Sequence, residues 1–225
     1  MNELSKTSQK IIALLLLTLG ILLTNSFLSP DLPGIAKDSA PVETAKVGEA
    51  APDFSLKDVN GKEWKLSKLK GKLVVLEWFN FGCPFVKKHY DSNNMQKLQE
   101  TYTKKGVVWL SICSSGEGRQ GYQKPEEHVS TFKEKNAAPS AILVDADGKV
   151  GKRYGAKATP HMFIVGKQGK LIYAGAIDDT PGFDKAEIKT ARNYVSTALD
   201  EAMANKPVSK SSTKPYGCSV KYSDN

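Results

Sequence analysis

The sequence contains few of the residues that cross-link small proteins or bind metal ions. Only three cysteines occur in 225 residues, which excludes a disulfide-dense scaffold. Only three histidines occur, and none belongs to an HxxxH or HExxH arrangement, which argues against a histidine-rich metal site. With 40% hydrophobic and 25% charged residues, the composition is that of a globular protein and excludes a collagen-like or fully disordered chain.

Only one long apolar run is present, and it lies near the N-terminus. Residues 11–23 form a run of 13 that follows Lys6 and Lys10. A basic stretch before a short apolar run is typical of a secretory signal, and a membrane span needs about 20 residues. Residues 1–28 are therefore predicted to be a signal peptide, with a membrane anchor through residues 11–28 as the alternative. Both predict an extracytoplasmic location, periplasmic or secreted.

The positive charges behind the formal net charge of +8 are not concentrated in one part of the chain. The lysines are scattered, and no basic stripe interleaved with aromatic residues is present. This pattern indicates a solvated surface, and it does not favour nucleic acid as a partner.

Composition also divides the chain. Residues 29–46 are predicted to be a linker, residues 47–205 one domain, and residues 206–225 a polar tail that carries a cysteine. The expected elements of the domain are a hairpin around Asn60-Gly61, a strand at 72–79, a helix at 84–105, a strand at 107–112, a helix at 125–135, a strand at 141–144, a hairpin over 162–173 and a helix at 184–204. This order predicts an α/β fold, in which helices flank a mixed central sheet and a β-hairpin precedes it.

Cys83 is the residue with the clearest chemical role. It follows the predicted buried strand, and Pro84 after it suits the first position of a helix. A cysteine at a helix N-terminus faces unpaired amides and the positive end of the helix dipole. These favour the thiolate, so Cys83 is predicted to be a nucleophile at neutral pH.

A wider set of motifs resembles the thioredoxin-like superfamily. The strand, the Cys83-Pro84 helix start and Ala158-Thr159-Pro160 before a hairpin follow its order. The opening VGEAAPDF at 47–54 is similar to the redoxin branch, which includes the alkyl hydroperoxide reductase and thiol-specific antioxidant proteins. The stretches 83–98 and 214–222 look like a peroxiredoxin-like subgroup of that branch. The resemblance implies a thioredoxin-like fold, and a cis-proline at Pro160 that shapes a binding groove facing Cys83.

Two departures from the family patterns bear on the reaction. Disulfide reductases of this superfamily have Cys-x-x-Cys, whereas position 86 here is Val. Peroxiredoxins have a Thr or Ser three residues before their cysteine, whereas Asn80 stands here. Asn80 can still donate a hydrogen bond. Neither the disulfide-reductase mechanism nor the peroxiredoxin mechanism, however, applies to this chain without change.

Glu77 is an unexpected acid in the apolar strand, six residues before Cys83. This is the spacing of the buried acid in thioredoxin. A buried carboxylate has a raised pKa and can accept a thiol proton, so Glu77 is a candidate base. The alternative is that Glu77 reaches solvent or a lysine.

Two other cysteines are candidates to resolve the product of Cys83. Cys218 lies in the tail and is ranked first, because many two-cysteine peroxidases resolve sulfenic acid with a remote cysteine. Cys113 follows the strand at 107–112 and would share a sheet edge with Cys83 if the two strands are neighbours. An external thiol is the third option.

These features predict an exported thiol-based oxidoreductase. Cys83 attacks, Cys218 resolves, and Pro160 and Glu77 support the site. The substrate is a disulfide-bearing protein or a peroxide, and an external thiol is the reductant. The first alternative is a peroxiredoxin-like thiol peroxidase, and the second is a non-catalytic binding or metal-carrier module. No organic cofactor and no metal is implied, because sulfur itself carries the electrons.

Overall fold

The computed structural model describes residues 44–223. The predicted signal or anchor at 1–28 and nearly all of the predicted linker lie outside the described residues. The strands are β1 (Ser55–Lys57), β2 (Glu63–Lys65), β3 (Val74–Trp78), β4 (Val108–Cys113), β5 (Ala141–Val144), β6 (Ala158–Thr159), β7 (His161–Val165), β8 (Leu171–Gly175) and β9 (Cys218–Ser219). The α-helices are α1 (Pro84–Asp91), α2 (Asn94–Lys104), α3 (Pro125–Glu134), α4 (Lys149–Tyr154) and α5 (Tyr194–Met203). Within residues 44–223, none of the helices is both long and apolar enough to cross a bilayer.

The central sheet has five strands in the order β5-β4-β3-β7-β8. β3, β4 and β5 run parallel, and β7 and β8 complete the sheet as antiparallel strands. Every residue of β3, β4 and β7 is buried, which is why these strands are near-continuous apolar runs. The predicted mixed sheet and its N-terminal hairpin, β1-β2, are confirmed. β3 and β4 are parallel neighbours, so Cys83 and Cys113 follow strands that end at the same sheet edge.

The single helix predicted over 84–105 is wrong, because the chain forms two helices there. α1 ends at Asp91 and α2 begins at Asn94. Between them Asn93 has a φ of 60°, in the left-handed region that interrupts a right-handed helix. The break brings the Asn94 side chain back toward α1, where its Nδ2 lies 2.9 Å from Nδ1 of His89.

The helix predicted over 184–204 also divides. Asp184 caps only a short 3-10 turn, Lys185–Lys189, by accepting from the amide of Ala186 at 2.9 Å. α5 starts later, where Asn193 accepts from the amide of Ser196 at 2.9 Å. Apolar residues at helical spacing occur both before and after the start of α5, so this spacing did not mark where the helix begins.

The sequence predicted no helix between the strand at 141–144 and the hairpin over 162–173, but the short helix α4 lies there. Gly148 adopts a φ of 68° at its start. The buried carboxylate of Asp145 then accepts hydrogen bonds from the amides of Val150 and Gly151 at 3.2 and 2.8 Å. Asp145 thus supplies the acceptor for two amides in the first turn of α4 that have no partner within the helix.

The C-terminal segment at 206–223 packs along one edge of the domain. Ser212 forms a bridge with Ala174 of β8, and further along the chain β9 pairs with β6. Beyond β9, the amide of Gly116 donates to the carbonyl of Lys221 at 2.8 Å. The segment therefore passes from β8 across β6 to the loop that follows β4.

Candidate functional site

Cys83 lies where the turn after β3 enters α1. Its amide donates to the carbonyl of Asn80 at 2.9 Å, and Pro84 occupies the first helical turn. Cys83 is the N-cap residue of α1, with extended backbone angles. Its sulfur faces the start of the helix, as the sequence predicted, but the residue is 0% exposed.

The pKa of the Cys83 thiol lies below its ordinary value. Burial raises this pKa, but hydrogen bonds more than offset the effect. The residues that lower it are Cys218, Thr159 and Val86, the last through its amide at the start of α1. The helix N-terminus was expected from the sequence, whereas the contribution of Cys218 is visible only in the structure.

Cys218 lies directly against Cys83 because β9 pairs antiparallel with β6. In this register Cys218 is opposite Thr159, the residue before Pro160. The pKa of the Cys218 thiol is raised to about 11, by burial and by its interactions with Cys83. The two thiols therefore differ in protonation at neutral pH. Cys83 forms the thiolate more readily, and Cys218 retains its proton.

Pro160 is buried at the junction of β6 and β7, and the Thr159–Pro160 peptide bond is cis, as the resemblance implied. The Thr159 carbonyl in front of it accepts a hydrogen bond from the Cys83 thiol at 3.0 Å. Pro160 is thus part of the wall beside the Cys83 sulfur.

Glu77 is 0% exposed in β3, which excludes the alternative of a solvent contact. Its carboxylate accepts from Tyr90 Oη at 2.8 Å, Gln99 Nε2 at 3.1 Å, Trp109 Nε1 at 2.8 Å and Ser111 Oγ at 2.7 Å. Burial raises the pKa of Glu77, and these four hydrogen bonds lower it only in part. None of the four donors is Cys83, so the role of Glu77 as proton acceptor stays a prediction.

Cys113 ends β4 at the same sheet edge, but it points into the core. Its thiol faces the carbonyl of Gly121 at 3.7 Å, and burial raises its pKa. Of the two candidate resolving cysteines, the structure brings Cys218 to Cys83 and leaves Cys113 on a separate contact.

A second set of polar residues surrounds Tyr216, and sequence reasoning missed it. The Tyr216 hydroxyl donates to Asp178 Oδ1 at 2.5 Å and lies 3.0 Å from His89 Nε2. Lys88, next to His89 on α1, is also buried and forms a 2.9 Å ion pair with Glu187. One signal was present in the sequence, a tyrosine and a glycine immediately before the tail cysteine.

No cluster of three or more His, Cys, Asp or Glu side chains that could hold a metal ion occurs within the range 44–223. The chemistry available from this arrangement is that of two thiols with different pKa values, in contact beside a buried proline.

Comparison with known proteins agrees with this chemistry. The chain is 31% identical over 125 residues to the thiol-disulfide oxidoreductase ResA of Geobacillus thermodenitrificans, a match that covers 56% of this chain and 66% of that protein. It is 30% identical over 133 residues to the thioredoxin-like protein YneN of Bacillus subtilis, covering 58% of this chain and 72% of that protein.

Among solved structures, an uncharacterized conserved protein from Geobacillus kaustophilus has the same fold. It superposes with a TM-score of 0.66 at 27% identity, covering 80% of this chain and 94% of that one. The fold is therefore thioredoxin-like, as the sequence predicted. Residues 47–174 match the AhpC/TSA family, and the chain belongs to that family.

Proposed function

We propose that the protein is a thiol–disulfide oxidoreductase in which Cys83 attacks and Cys218 resolves. The observation that carries this proposal is the contact of the two cysteines, which follows from the register of β9 against β6. The lowered pKa of Cys83 supplies the thiolate that disulfide exchange requires. ResA relatives, which carry the name of this activity, match more than half of the chain.

In the first step, the Cys83 thiolate attacks one sulfur of a substrate disulfide. A Cys83–substrate disulfide forms, the substrate S–S bond breaks, and the second substrate sulfur leaves as a thiolate. Cys218 then loses its proton to solvent or to a leaving thiolate and attacks Cys83 Sγ. The Cys83–Cys218 disulfide forms, and the first substrate sulfur leaves. The substrate gains two electrons, and an external dithiol returns two electrons to the protein.

The tail must move during this cycle. Cys83 is fully buried, and the half-buried Cys218 in β9 lies against it. β9 pairs only with β6, in a sheet separate from the central one, so the tail can leave the site without unfolding of the central sheet once the backbone hydrogen bonds of Val220 and Lys221 also open. A substrate enters when β9 withdraws, and the return of β9 brings Cys218 back for the second step.

Disulfide exchange is favoured over peroxide reduction by the contacts of Asn80. Asn80 occupies the place of the peroxidase hydroxyl, and its Nδ2 donates to the Gln120 carbonyl at 2.9 Å and to Ser115 Oγ at 3.4 Å. Its Oδ1 accepts from the amide of Gly82 at 2.7 Å. Both amide hydrogens are thus engaged by the protein, and a peroxide would have to displace one of these bonds.

We also infer that the protein works outside the cytoplasm on disulfide-bearing proteins, with an external thiol as reductant. The basic and then apolar segment at 1–28 supports export, and an oxidising compartment supplies disulfides. Cell fractionation checks the location, and recovery in the cytoplasmic fraction would contradict it.

Two assays test the proposed cycle. After mild oxidation, non-reducing peptide mass spectrometry is expected to find a Cys83–Cys218 link. Reduction of insulin disulfides is expected to be abolished by Cys83→Ser and to stall at a mixed disulfide in Cys218→Ser, whereas Cys113→Ser is the matched control that retains activity. Consumption of peroxide faster than of disulfides, or Cys83 overoxidised beside an unpaired Cys218, would contradict the proposal.

A further inference from the structure

The tail places a short extended peptide, Tyr216-Gly217-Cys218, in the position that a cysteine-bearing substrate needs. Cys218 is opposite Thr159 in the β6–β9 ladder, and its sulfur contacts Cys83. A substrate cysteine has to reach the same sulfur. The contacts of the tail therefore describe what a substrate segment meets.

The tyrosine of this segment occupies a pocket built by the same helix that presents Cys83. Phe85, Lys88 and His89 are spaced three and four residues apart and so share one face of α1. The Phe85 ring centroid lies 5.9 Å from that of Tyr216, and Lys88 Nζ lies 5.7 Å from the Tyr216 ring centroid. Together with Asp178, these three residues form what we call the tyrosyl subsite.

The polar groups of the tyrosyl subsite match a phenol hydroxyl. The Asn94 amide donates to Nδ1 of His89, which leaves the proton of the neutral ring on Nε2. His89 Nε2 therefore donates to the Tyr216 hydroxyl at 3.0 Å, and the hydroxyl donates to Asp178 Oδ1 at 2.5 Å. A group that both accepts and donates at this point satisfies both partners, and a phenylalanine ring satisfies neither.

Burial makes this match selective. Asp178 is 1% and His89 0% exposed, and Asp178 Oδ2 already lacks a hydrogen-bond partner among the described residues. If the hydroxyl were absent, Oδ1 would keep only the amide of Thr180, at 3.1 Å, and His89 Nε2 would lose its acceptor. Buried polar groups left without partners are costly, so the subsite disfavours side chains without a hydroxyl.

The residue between the tyrosine and the cysteine is restricted as well. Gly217 has a φ of 132°, and a Cβ at this position would collide with the carbonyl of Thr159. That carbonyl belongs to the backbone beside Pro160, which cannot move aside as a flexible side chain can. Glycine is therefore the residue that allows both neighbours to reach their contacts.

We propose that the tail is a built-in substrate mimic, and that the protein acts on extended segments in which a tyrosine stands two residues and a glycine one residue before the reactive cysteine. This inference rests on the proposed function. Substrate and tail then compete for the same subsite. When Cys218 returns to attack the mixed disulfide, Tyr216 refills the subsite and displaces the segment that has reacted.

The test uses the full chain and two synthetic peptides, Lys-Pro-Tyr-Gly-Cys-Ser-Val and its Phe analogue, each linked by a disulfide to a chromogenic aromatic thiol. Attack by Cys83 forms the peptide–Cys83 disulfide and releases the coloured thiolate, which measures the first step. The Tyr peptide is expected to react about tenfold faster, the effect of one charge-assisted hydrogen bond. The tail competes equally with both peptides, so the ratio of their rate constants is unaffected by it.

Variants at two adjacent acids connect the ratio to the tyrosyl subsite. Asp178→Asn weakens the acceptor and is expected to bring the Tyr/Phe ratio close to one. Asp179→Asn, the same change at an exposed neighbour, is expected to leave the ratio at about tenfold. A third peptide with Ala for Gly is expected to react more slowly than the Tyr-Gly-Cys peptide.

The outcomes separate this inference from the proposed function. Equal rates for the Tyr and Phe peptides, in a reaction that Cys83→Ser abolishes, would overturn the substrate preference and leave the disulfide chemistry intact. Inert peptides beside active reduction of insulin would also overturn it, and would restrict the subsite to the chain's own tail. Inactivity toward both peptides and insulin would instead overturn the proposed function.

Discussion

Two buried carboxylates lie on opposite sides of the candidate site, and their surroundings differ. Glu77 lies on the core side, where two helices and β4 supply four donors to its two oxygens. Asp178 lies on the tail side, where Tyr216 and the Thr180 amide share Oδ1 and no described group reaches Oδ2. The core side is fully hydrogen-bonded within the domain, and the tail side is completed only by the tail.

This difference indicates how a buried thiol can still react. The core side holds β3, and so the turn to Cys83, in one arrangement. The tail side is completed by a half-buried segment that lies outside the central sheet, so its release leaves the ladder of that sheet intact. The Cys83 sulfur therefore lies between a core side that is fixed and a tail that can be released.

Among the variants that test the difference between the two sides, Glu77→Gln is expected to have the largest effect, and this effect is on global stability. In Glu77→Gln, the amide oxygen can still face the three donors that share Glu77 Oε2, but an NH2 group takes the place of Oε1, the acceptor of Tyr90 Oη. We expect the free energy of unfolding to fall by about 2 kcal/mol, since the buried Tyr90 hydroxyl loses its acceptor. Chemical denaturation measures this loss.

The matched variant on the other side is Tyr216→Phe, which removes the hydroxyl from the tail. We expect a smaller fall in the free energy of unfolding, about 1 kcal/mol for the lost hydrogen bonds, and faster alkylation of Cys83, because β9 opens more often. The comparison fails if Tyr216→Phe lowers global stability as much as Glu77→Gln does.

The fold could be predicted largely from the sequence because its strongest signals are local. The apolar runs that became β3 and β4 need burial on both faces, and Pro84 marked the start of α1. The break at Asn93 could not be predicted, since it depends on one residue in a left-handed conformation that most asparagines do not adopt.

The candidate site, like the fold, could be predicted from the sequence only where its signals are local. Cys83 was identified from its position at a helix N-terminus, which is a local property. The tyrosyl subsite joins α1 to residues 178 and 216, which lie about ninety and more positions further along the chain, as the separations of its hydrogen bonds show. No periodicity or spacing connects segments so distant, so Asp178 and Tyr216 required the structure.

A smaller effect is expected on the thiolate itself. Cys218→Ala removes one donor to the Cys83 sulfur, so the pKa of Cys83 should rise and the first step should slow at neutral pH. Cys218→Ser retains a hydroxyl donor and should keep this pKa low, although it also prevents resolution. Thiolate ultraviolet absorbance against pH, with Cys83→Ser as the blank, measures the midpoint. Identical titrations of the Ala and Ser variants would show that the side chain of Cys218 does not stabilise the thiolate.

The smallest effect at neutral pH is expected from the titration of His128, a buried residue of α3 that belongs to neither side and so serves as a reference. Its Nδ1 has no partner among the described residues, and burial lowers its pKa to about 4. Above the ordinary pKa of about 6.5, histidine is neutral in both the folded and unfolded chains. As the pH falls from there toward 4, only the unfolded chain binds the proton, so stability decreases.

The variant His128→Gln removes this titration while the carboxylates and the other histidines still titrate. The difference in unfolding free energy between wild type and variant should therefore change by at most about 1.4 kcal/mol per pH unit between these limits, and level off at more acid pH, where the folded chain is protonated as well. Urea denaturation at several pH values measures it. A difference that does not vary with pH would mean that His128 is protonated as readily in the folded chain as in the unfolded one. If the slope is found and the pH profile of Cys83 alkylation is the same in wild type and variant, protonation of His128 destabilises the fold without opening the tail, and the opening of the tail is energetically separate from this part of the core.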